Sequence, residues 1–164
     1  MKILITGSEG QLGRSLNKLK PLDISLINCP KSKLDLTNKF EIKNTIYSYR
    51  PDWIINCGAY TKVLEAENNH KLAYSLNQTA PKLISEILSE TGGKLIHLST
   101  DYVFDGKSKK PYKVNDIKKP INIYGASKAA GEREVENIFK DKSQATILRT
   151  SGLIGHFGKN FSET

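Results

Sequence analysis

Apolar residues in this chain arrive in short continuous blocks, separated by stretches where they recur every third or fourth position. "KILIT" (Lys2–Thr6) is a continuous apolar run that stops at a glycine, as a parallel strand buried on both faces does. "QLGRSLNKLK" then sets Leu12, Leu16 and Leu19 on one helical face and ends before Pro21. "DISLIN" (23–28) reads as a second strand. The stretch after it, "LTNKFEIKNTIYSYRP", offers Thr37 or Asn38 as N-cap and Phe40, Ile42, Ile46 and Tyr49 as apolar positions. "DWIINCGAY" is a third strand breaking at Gly58. From Glu65 to Glu90 the pattern is helical with Pro81 inside it, which predicts a short helix over 69–76 and a longer one capped near Asn77 or Thr79. "GGKLIHLST" supplies a turn and a fourth strand, and a loop rich in Lys, Gly, Pro and Asp runs to Pro120. A helix over 124–140 and a fifth strand, "ATILRT", complete the series.

Strands alternating with helices of this length predict βαβ units, hence an α/β fold: a doubly wound, Rossmann-like parallel sheet with helices on both faces. The expected strand order is 3-2-1-4-5, with the switch point between the first and fourth strands. The 164 residues suit one domain, and no internal repeat or low-complexity linker divides them.

Composition narrows the function classes. Hydrophobic residues at 38% and charged residues at 26% belong to a folded chain rather than a disordered one. No apolar run approaches the roughly 18 residues of a membrane span, and the few apolar residues after Met1 are too short for a signal-peptide core, so the cytoplasm is the expected location. Cys29 and Cys57 have no metal-ligand spacing. The net charge of +8 raises nucleic acid as a partner. The lysines are scattered, however, and no helix-turn-helix, zinc or aromatic-stacking pattern accompanies them, so neither nucleic acid nor membrane is an expected partner.

Ligands in such sheets sit at the carboxyl ends of the strands, and the chemistry-bearing motifs gather there. After the first strand, "TGSEGQLG" spaces Gly7, Gly10 and Gly13 as G-x-x-G-x-x-G. That spacing permits a tight turn, close backbone approach to a pyrophosphate, and close helix–strand packing above a helix N-terminus. The second strand ends in "NCPKSK", with Lys31 and Lys33 where a ribose-binding acid would stand, which favours NADPH over NADH as cofactor. Asp35 is placed to accept from an adenine amino group, and Gly58 and Ala59 suit backbone lying against the cofactor. The fourth strand ends in Ser99 and Thr100, hydroxyls near the expected meeting point of nicotinamide and substrate carbonyl.

The decisive stretch is "INIYGASKAAGERE", where Tyr124 and Lys128 share a helical face one turn apart. A phenol with a pKa of about 10 exchanges protons poorly at neutral pH, and a neighbouring ammonium would lower it by favouring phenolate. After a glycine-rich turn and a strand ending in Ser-Thr, the pair reads as a proton donor and its tuning cation. His97, between Ile96 and Leu98 in a strand, is expected to be packed or hydrogen-bonded, and no histidine has a metal or triad spacing.

Together "MKILITGSEGQLGRSL", "RPDWIINCGAYTKVLEAE", "HLSTDYVFDGKSKKPY", "NIYGASKAAGERE" and "ILRTSGLIG" resemble the extended short-chain dehydrogenase/reductase superfamily, and within it the dTDP-4-dehydrorhamnose reductase branch. The resemblance runs through the whole chain but covers only the first part of that branch's length. It implies an oxidoreductase acting on a nucleotide sugar, reducing the C4 keto group of a dTDP-4-keto-6-deoxy sugar with NADPH or NADH. By this resemblance Thr100, Tyr124 and Lys128 form the catalytic set. Gly7, Gly10, Gln11, Leu12, Gly13, Asp35, Leu36, Gly58, Ala59, Tyr60 and Ser99, with Tyr124 and Lys128, line the cofactor. Thr100, Asp101, Val103 and Phe104 face the substrate. Residues 1–164 then correspond to the NAD(P)-binding domain, with the substrate domain largely absent. A homodimer stays open as a partner, and Mg2+ enters only through the absent C-terminal region. Two positions depart from the branch: Leu64 stands where an aspartate is usual, and Gly152 where an aromatic is usual. These departures keep a second reading alive, a non-catalytic binding protein like the regulatory subunit of methionine adenosyltransferase.

Overall fold

The computed structural model describes residues 1–19, 23–140 and 143–158. Five strands, β1 (Lys2–Thr6), β2 (Ser25–Cys29), β3 (Trp53–Asn56), β4 (Lys94–Thr100) and β5 (Ala145–Thr150), all pair in parallel. The parallel, doubly wound sheet is as expected, but the strand order is β2-β1-β3-β4-β5 rather than 3-2-1-4-5. The strands' own polarity explains the difference. In β2 both Ser25 and Asn28 are exposed, which an edge tolerates, whereas "WIIN" of β3 is apolar enough for an interior place, with Ile54 fully buried. The switch point therefore falls between β1 and β3, not between the first and fourth strands.

The helices are α1 (Gln11–Lys18), α2 (Lys39–Tyr49), α3 (Val63–Ala66), α4 (His70–Tyr74), α5 (Ala80–Thr91) and α6 (Ile123–Ile138). Asn38 caps α2 by accepting from the amides of Phe40 and Glu41 at 3.0 and 3.3 Å. Of the anticipated apolar positions, Ile42 and Ile46 are buried, while Phe40 is 78% exposed in the first turn. Leu19 lies past the end of α1 and is exposed, and Pro21, expected to follow that end, is outside the described residues.

The predicted break near Asn77 or Thr79 does not occur. Instead α4 runs into α5 through one π-turn, Ser75–Thr79, whose Thr79 has helical φ and ψ and makes no side-chain cap. Pro81 sits at the start of α5, where the wider preceding turn spares the i−4 bond its ring cannot make. The main core lies between the sheet and α2 and α5: Leu4, Ile54 and Leu95 meet Ile42, Ile46, Ile84 and Leu88, all at most 1% exposed. Each such side chain contributes about 1.5–3 kcal/mol by leaving water. Among the described residues no helix is long and apolar enough to cross a membrane.

Helix α6 carries Tyr124 and Lys128 and is set unusually close to its neighbours. A methyl group at Gly125 would collide with the Tyr102 carbonyl, and one at Gly131 with the Asn77 carbonyl of the π-turn. Gly131→Ala is therefore expected to cost about 1–3 kcal/mol and to lower the melting temperature by about 5 °C. Gly152→Ala, where a methyl meets nothing within 4 Å, should melt like the parent in the same calorimetric scan.

Candidate active site at the carboxyl ends of the strands

Beyond β1 the chain turns at Gly7, whose φ of +59° is a conformation that favours glycine. The Gly10 amide donates to the Gly7 carbonyl at 2.9 Å and closes the turn. A Cβ at Gly7 would come within 2.8 Å of the Gly58 backbone, and one at Gly13 within 2.6 Å of the Ser8 Cα. The three glycines thus answer two separate needs: Gly7 lets the ends of β1 and β3 meet, and Gly13 lets α1 start against the turn. Gly10 is the N-cap of α1 and brings no side chain to it.

A cleft of about 470 Å³ opens above this turn, within the range of small-molecule and cofactor sites. Its walls include Gly7, Gly10, Gln11, Leu12 and Gly13 on one side, Gly58 and Ala59 at the floor, and Ser99, Tyr124 and Lys128 on the other. A smaller lobe of about 190 Å³, sharing Gly7, Lys31, Gly58 and Ala59 with it, is lined by Asp35, Leu36, Leu72 and Leu76. Asp35 accepts from the Thr37 amide and hydroxyl, each at 2.8 Å, and these bonds hold its carboxyl below the usual range. The two candidate lysines part company: Lys31 lines both lobes, while the Lys33 ammonium lies over the Tyr49 ring, 4.9 Å from its centre. A bare glycine turn, a helix N-terminus and an apolar lobe suit the diphosphate and adenine of a dinucleotide.

The other wall holds the titratable groups Tyr124 and Lys128. Lys128 is 3% exposed and donates to the Leu98 carbonyl at 2.5 Å. Burial lowers its pKa to about 8, opposed by the nearby carboxylate of Glu132. The Tyr124 phenol goes the other way: burial pushes it above 10, and hydrogen bonding with Thr100 offsets only part of that. The expected acidification of Tyr124 by Lys128 is therefore absent, because the lysine's bond goes to a strand carbonyl instead. Thr100 is buried, donates to Asp101 Oδ1 at 3.1 Å and accepts from the Tyr102 amide at 3.2 Å. The Tyr102 and Tyr124 rings meet edge to face, with centres 5.6 Å apart.

Three anticipated site residues lie in packing rather than in the cleft. Tyr60 is buried against Ala66 and Ala73. Val103 is fully buried beside Ala129, and Phe104 stacks on Tyr112 with the Arg149 guanidinium over its other side. Asp101 is exposed, and neither it nor Thr100 lines the cleft.

The model of the RmlD substrate binding domain family matches residues 1–164, the whole chain. The chain belongs to this family. A dTDP-4-dehydrorhamnose reductase from Aggregatibacter actinomycetemcomitans is 41% identical over 165 residues, covering 99% of this chain and 55% of that protein. A crystal structure of dTDP-4-dehydrorhamnose reductase from Bacillus anthracis in complex with NADP superposes with a TM-score of 0.91 at 40% identity, covering 98% of this chain and 56% of that one. Its counterpart from Clostridium acetobutylicum gives 0.92 at 38%, again covering 98% and 56%. The chain spans about half the length of the curated relatives it matches.

Two residues that build this RmlD-family site were not anticipated. Asn77, fully buried in the π-turn, accepts from the Tyr60 amide at 2.9 Å and donates to the Tyr60 carbonyl at 3.0 Å. It also donates to Ser127 Oγ at 3.0 Å, so one side chain ties the loop after β3 to α6 between Tyr124 and Lys128. Glu132 is the other, a buried carboxylate one turn beyond Lys128. Its i, i+4 relation to Lys128 was legible in the sequence; its burial was not. Below the floor, the Gly58 amide donates to Thr6 Oγ1, Thr6 to Asn56 Oδ1 at 2.6 Å, and Asn56 Nδ2 to His97 Nδ1 at 3.0 Å. Burial, reinforced by Lys128, keeps His97 neutral, so packing and hydrogen bonding describe it as expected. A slightly larger cavity, about 530 Å³ between β5 and the end of α6, is lined by no glycine turn, helix N-terminus or Tyr–Lys pair.

The Lys128 shift has a defined sign. Its folded pKa lies below the unfolded 10.5, so between about 8 and 10.5 the unfolded chain holds more protons and stability rises with pH. Below that window the cost of burying the ammonium is fully present. Lys128→Met should stabilise the chain by about 2–3 kcal/mol at pH 7, and the gain should vanish near pH 10.5, as read by urea unfolding across that range.

Proposed function

We propose that this chain is the cofactor-binding and proton-donating part of a reductase that acts on the C4 keto group of a dTDP-linked 4-keto-6-deoxy sugar, dTDP-4-dehydrorhamnose giving dTDP-L-rhamnose. The observation that carries the reading is the convergence of Tyr124 and Lys128 with the glycine turn of β1 on one cleft, in a chain of the RmlD family. A relative from this branch is seen in complex with NADP, which supports a nicotinamide cofactor here.

In this reading the first-turn amides of α1 bind the diphosphate, with Gly7, Gly10 and Gly13 keeping the approach clear of side chains. The lobe between Asp35, Leu36 and Leu76 takes the adenine end. Lys31 borders both lobes, and no acid closes the β2 end, so a ribose 2′-phosphate is accommodated and NADPH preferred over NADH. Lys128 has donors left after its bond to Leu98 and gives them to the nicotinamide ribose. The bound nicotinamide supplies hydride to the sugar carbon. Tyr124 delivers the matching proton to the carbonyl oxygen while Thr100 hydrogen-bonds that oxygen. Tyr124 is in the protonated form that a reduction needs, and its upward shift makes it a weaker acid than a free phenol, so the proton must move as charge develops on the carbonyl oxygen.

Tyr124→Phe is expected to keep NADPH binding, followed by fluorescence, and to slow keto-sugar reduction by about 10²–10⁴-fold. Lys31→Glu should weaken NADPH binding about tenfold while changing NADH affinity much less. A parent chain that leaves NADPH fluorescence unchanged up to millimolar cofactor would end this reading.

A further inference from the structure

Glu132 is fully buried, and both of its carboxylate oxygens are engaged. Oε1 accepts from Ser99 Oγ at 2.5 Å and from Arg149 Nε at 2.9 Å. Oε2 accepts from Arg149 Nη2 at 2.8 Å and from Lys118 Nζ at 3.0 Å. These donors come from three places: the end of β4, strand β5, and the loop that precedes α6. Lys118 also reaches Glu136 at 2.9 Å, and Arg149 Nη1 donates to the Val114 carbonyl at 2.9 Å. One buried anion thus gathers the segments around the site, a costly arrangement in which removing the anion leaves the Arg149 guanidinium without a carboxylate while Lys118 keeps Glu136.

The neighbour relations along β4 give the cluster a direction. Leu98, Ser99 and Thr100 are consecutive: the first receives the Lys128 ammonium, the second binds Glu132, and the third donates to Asp101 and accepts from the amide of Tyr102, whose ring meets that of Tyr124 edge to face. Lys128 and Glu132 stand one turn apart on α6, both buried. Helix and strand are therefore pinned at two successive levels. Among the described residues, the titratable groups acting on Lys128 are Glu132 from α6, Cys57 from the end of β3 and His97 from β4. Burial pushes the Cys57 thiol up to about 12, and His97 is neutral, which leaves Glu132 as the ionised acid facing the lysine at neutral pH. Burial by itself would raise the Glu132 carboxyl, but the bonds from Arg149, Ser99 and Lys118 outweigh it and keep it ionised.

We propose that Glu132 is a positioning residue for the nicotinamide site. Through Ser99 it fixes the strand end whose Leu98 carbonyl receives Lys128, while Arg149 and Lys118 hold the carboxylate in place. The inference rests on the proposed function for its use, but the coupling between Glu132 and Lys128 is a property of the chain without cofactor.

The test is an NMR titration of the chain carrying 13C-labelled lysine, with NADPH affinity followed in parallel by fluorescence. In Glu132→Gln the Lys128 midpoint should fall by about one pH unit or more, and NADPH binding at pH 8 should weaken about tenfold. Glu132→Asp, which retains the charge, should restore most of the midpoint. The double variant Glu132→Gln, Arg149→Met leaves no unpaired buried guanidinium and carries the same expectation should the single variant not fold. A folded single or double variant whose Lys128 midpoint stays at the parent value overturns the proposal. A midpoint that falls in a chain whose parent never binds NADPH leaves the coupling standing and removes the reductase reading instead.

Discussion

The structure depends on how closely α6 is laid over the carboxyl end of the sheet. Gly125 and Gly131 have backbone carbonyls against them where a side chain would project, one from the turn after β4 and one from the π-turn between α4 and α5. With both positions bare, the helix sinks until Lys128 and Glu132 are buried and Tyr124 stands at the edge of the cleft. Everything chemical about the site follows from that depth. A helix held a few ångströms higher would expose the lysine, return it to an ordinary ammonium, and open the phenol to water.

Burial at this depth puts several polar groups out of reach of solvent, and the fold satisfies most of them in rows. The Thr6–Asn56–His97 row crosses β1, β3 and β4 at paired register positions directly beneath the cleft floor. The Asn77 side chain plays the same part between helices, taking both backbone groups of Tyr60 and the hydroxyl of Ser127. The Glu132 cluster does so for charge. Such networks are worth little as net stability, but a partly broken one costs several kcal/mol, so together they restrict the site to one arrangement. That restriction is the useful property, since proton transfer between groups misplaced by about 1 Å is slow.

The pKa shifts reorganise the chemical picture in a consistent direction. The Tyr–Lys pair first suggests a phenol made acidic by its neighbour, yet the ammonium is spent on the Leu98 carbonyl and the phenol is held protonated by its surroundings. In the proposed carbonyl reduction the tyrosine gives a proton, and the raised pKa means that it does so only as negative charge develops on the acceptor oxygen. In the proposed reaction the lysine orients the cofactor and the tyrosine donates the proton.

Local pattern was enough to determine the strands, most of the helices, the glycine turn and the Tyr124–Lys128 pair, because each rests on spacing within a few residues. Local pattern also narrowed the cap of α2 to Thr37 or Asn38, and the structure chose Asn38. Strand order was readable in principle, from the polar Ser25 and Asn28 of the edge against the apolar β3, but it is a comparison between distant segments that periodicity does not make. Only the tertiary structure decided that Pro81 begins a helix continuing from a π-turn, that Lys33 turns to Tyr49 while Lys31 faces the cleft, and that Tyr60, Val103 and Phe104 serve packing. It also decided which way the site's protons lean, since a pKa depends on burial and on partners from β4, β5 and a loop that lie far from Lys128 and Glu132 in sequence. Spacing along a chain reports what can share a face; only the assembled fold sets how deeply that face is buried and which charges it meets.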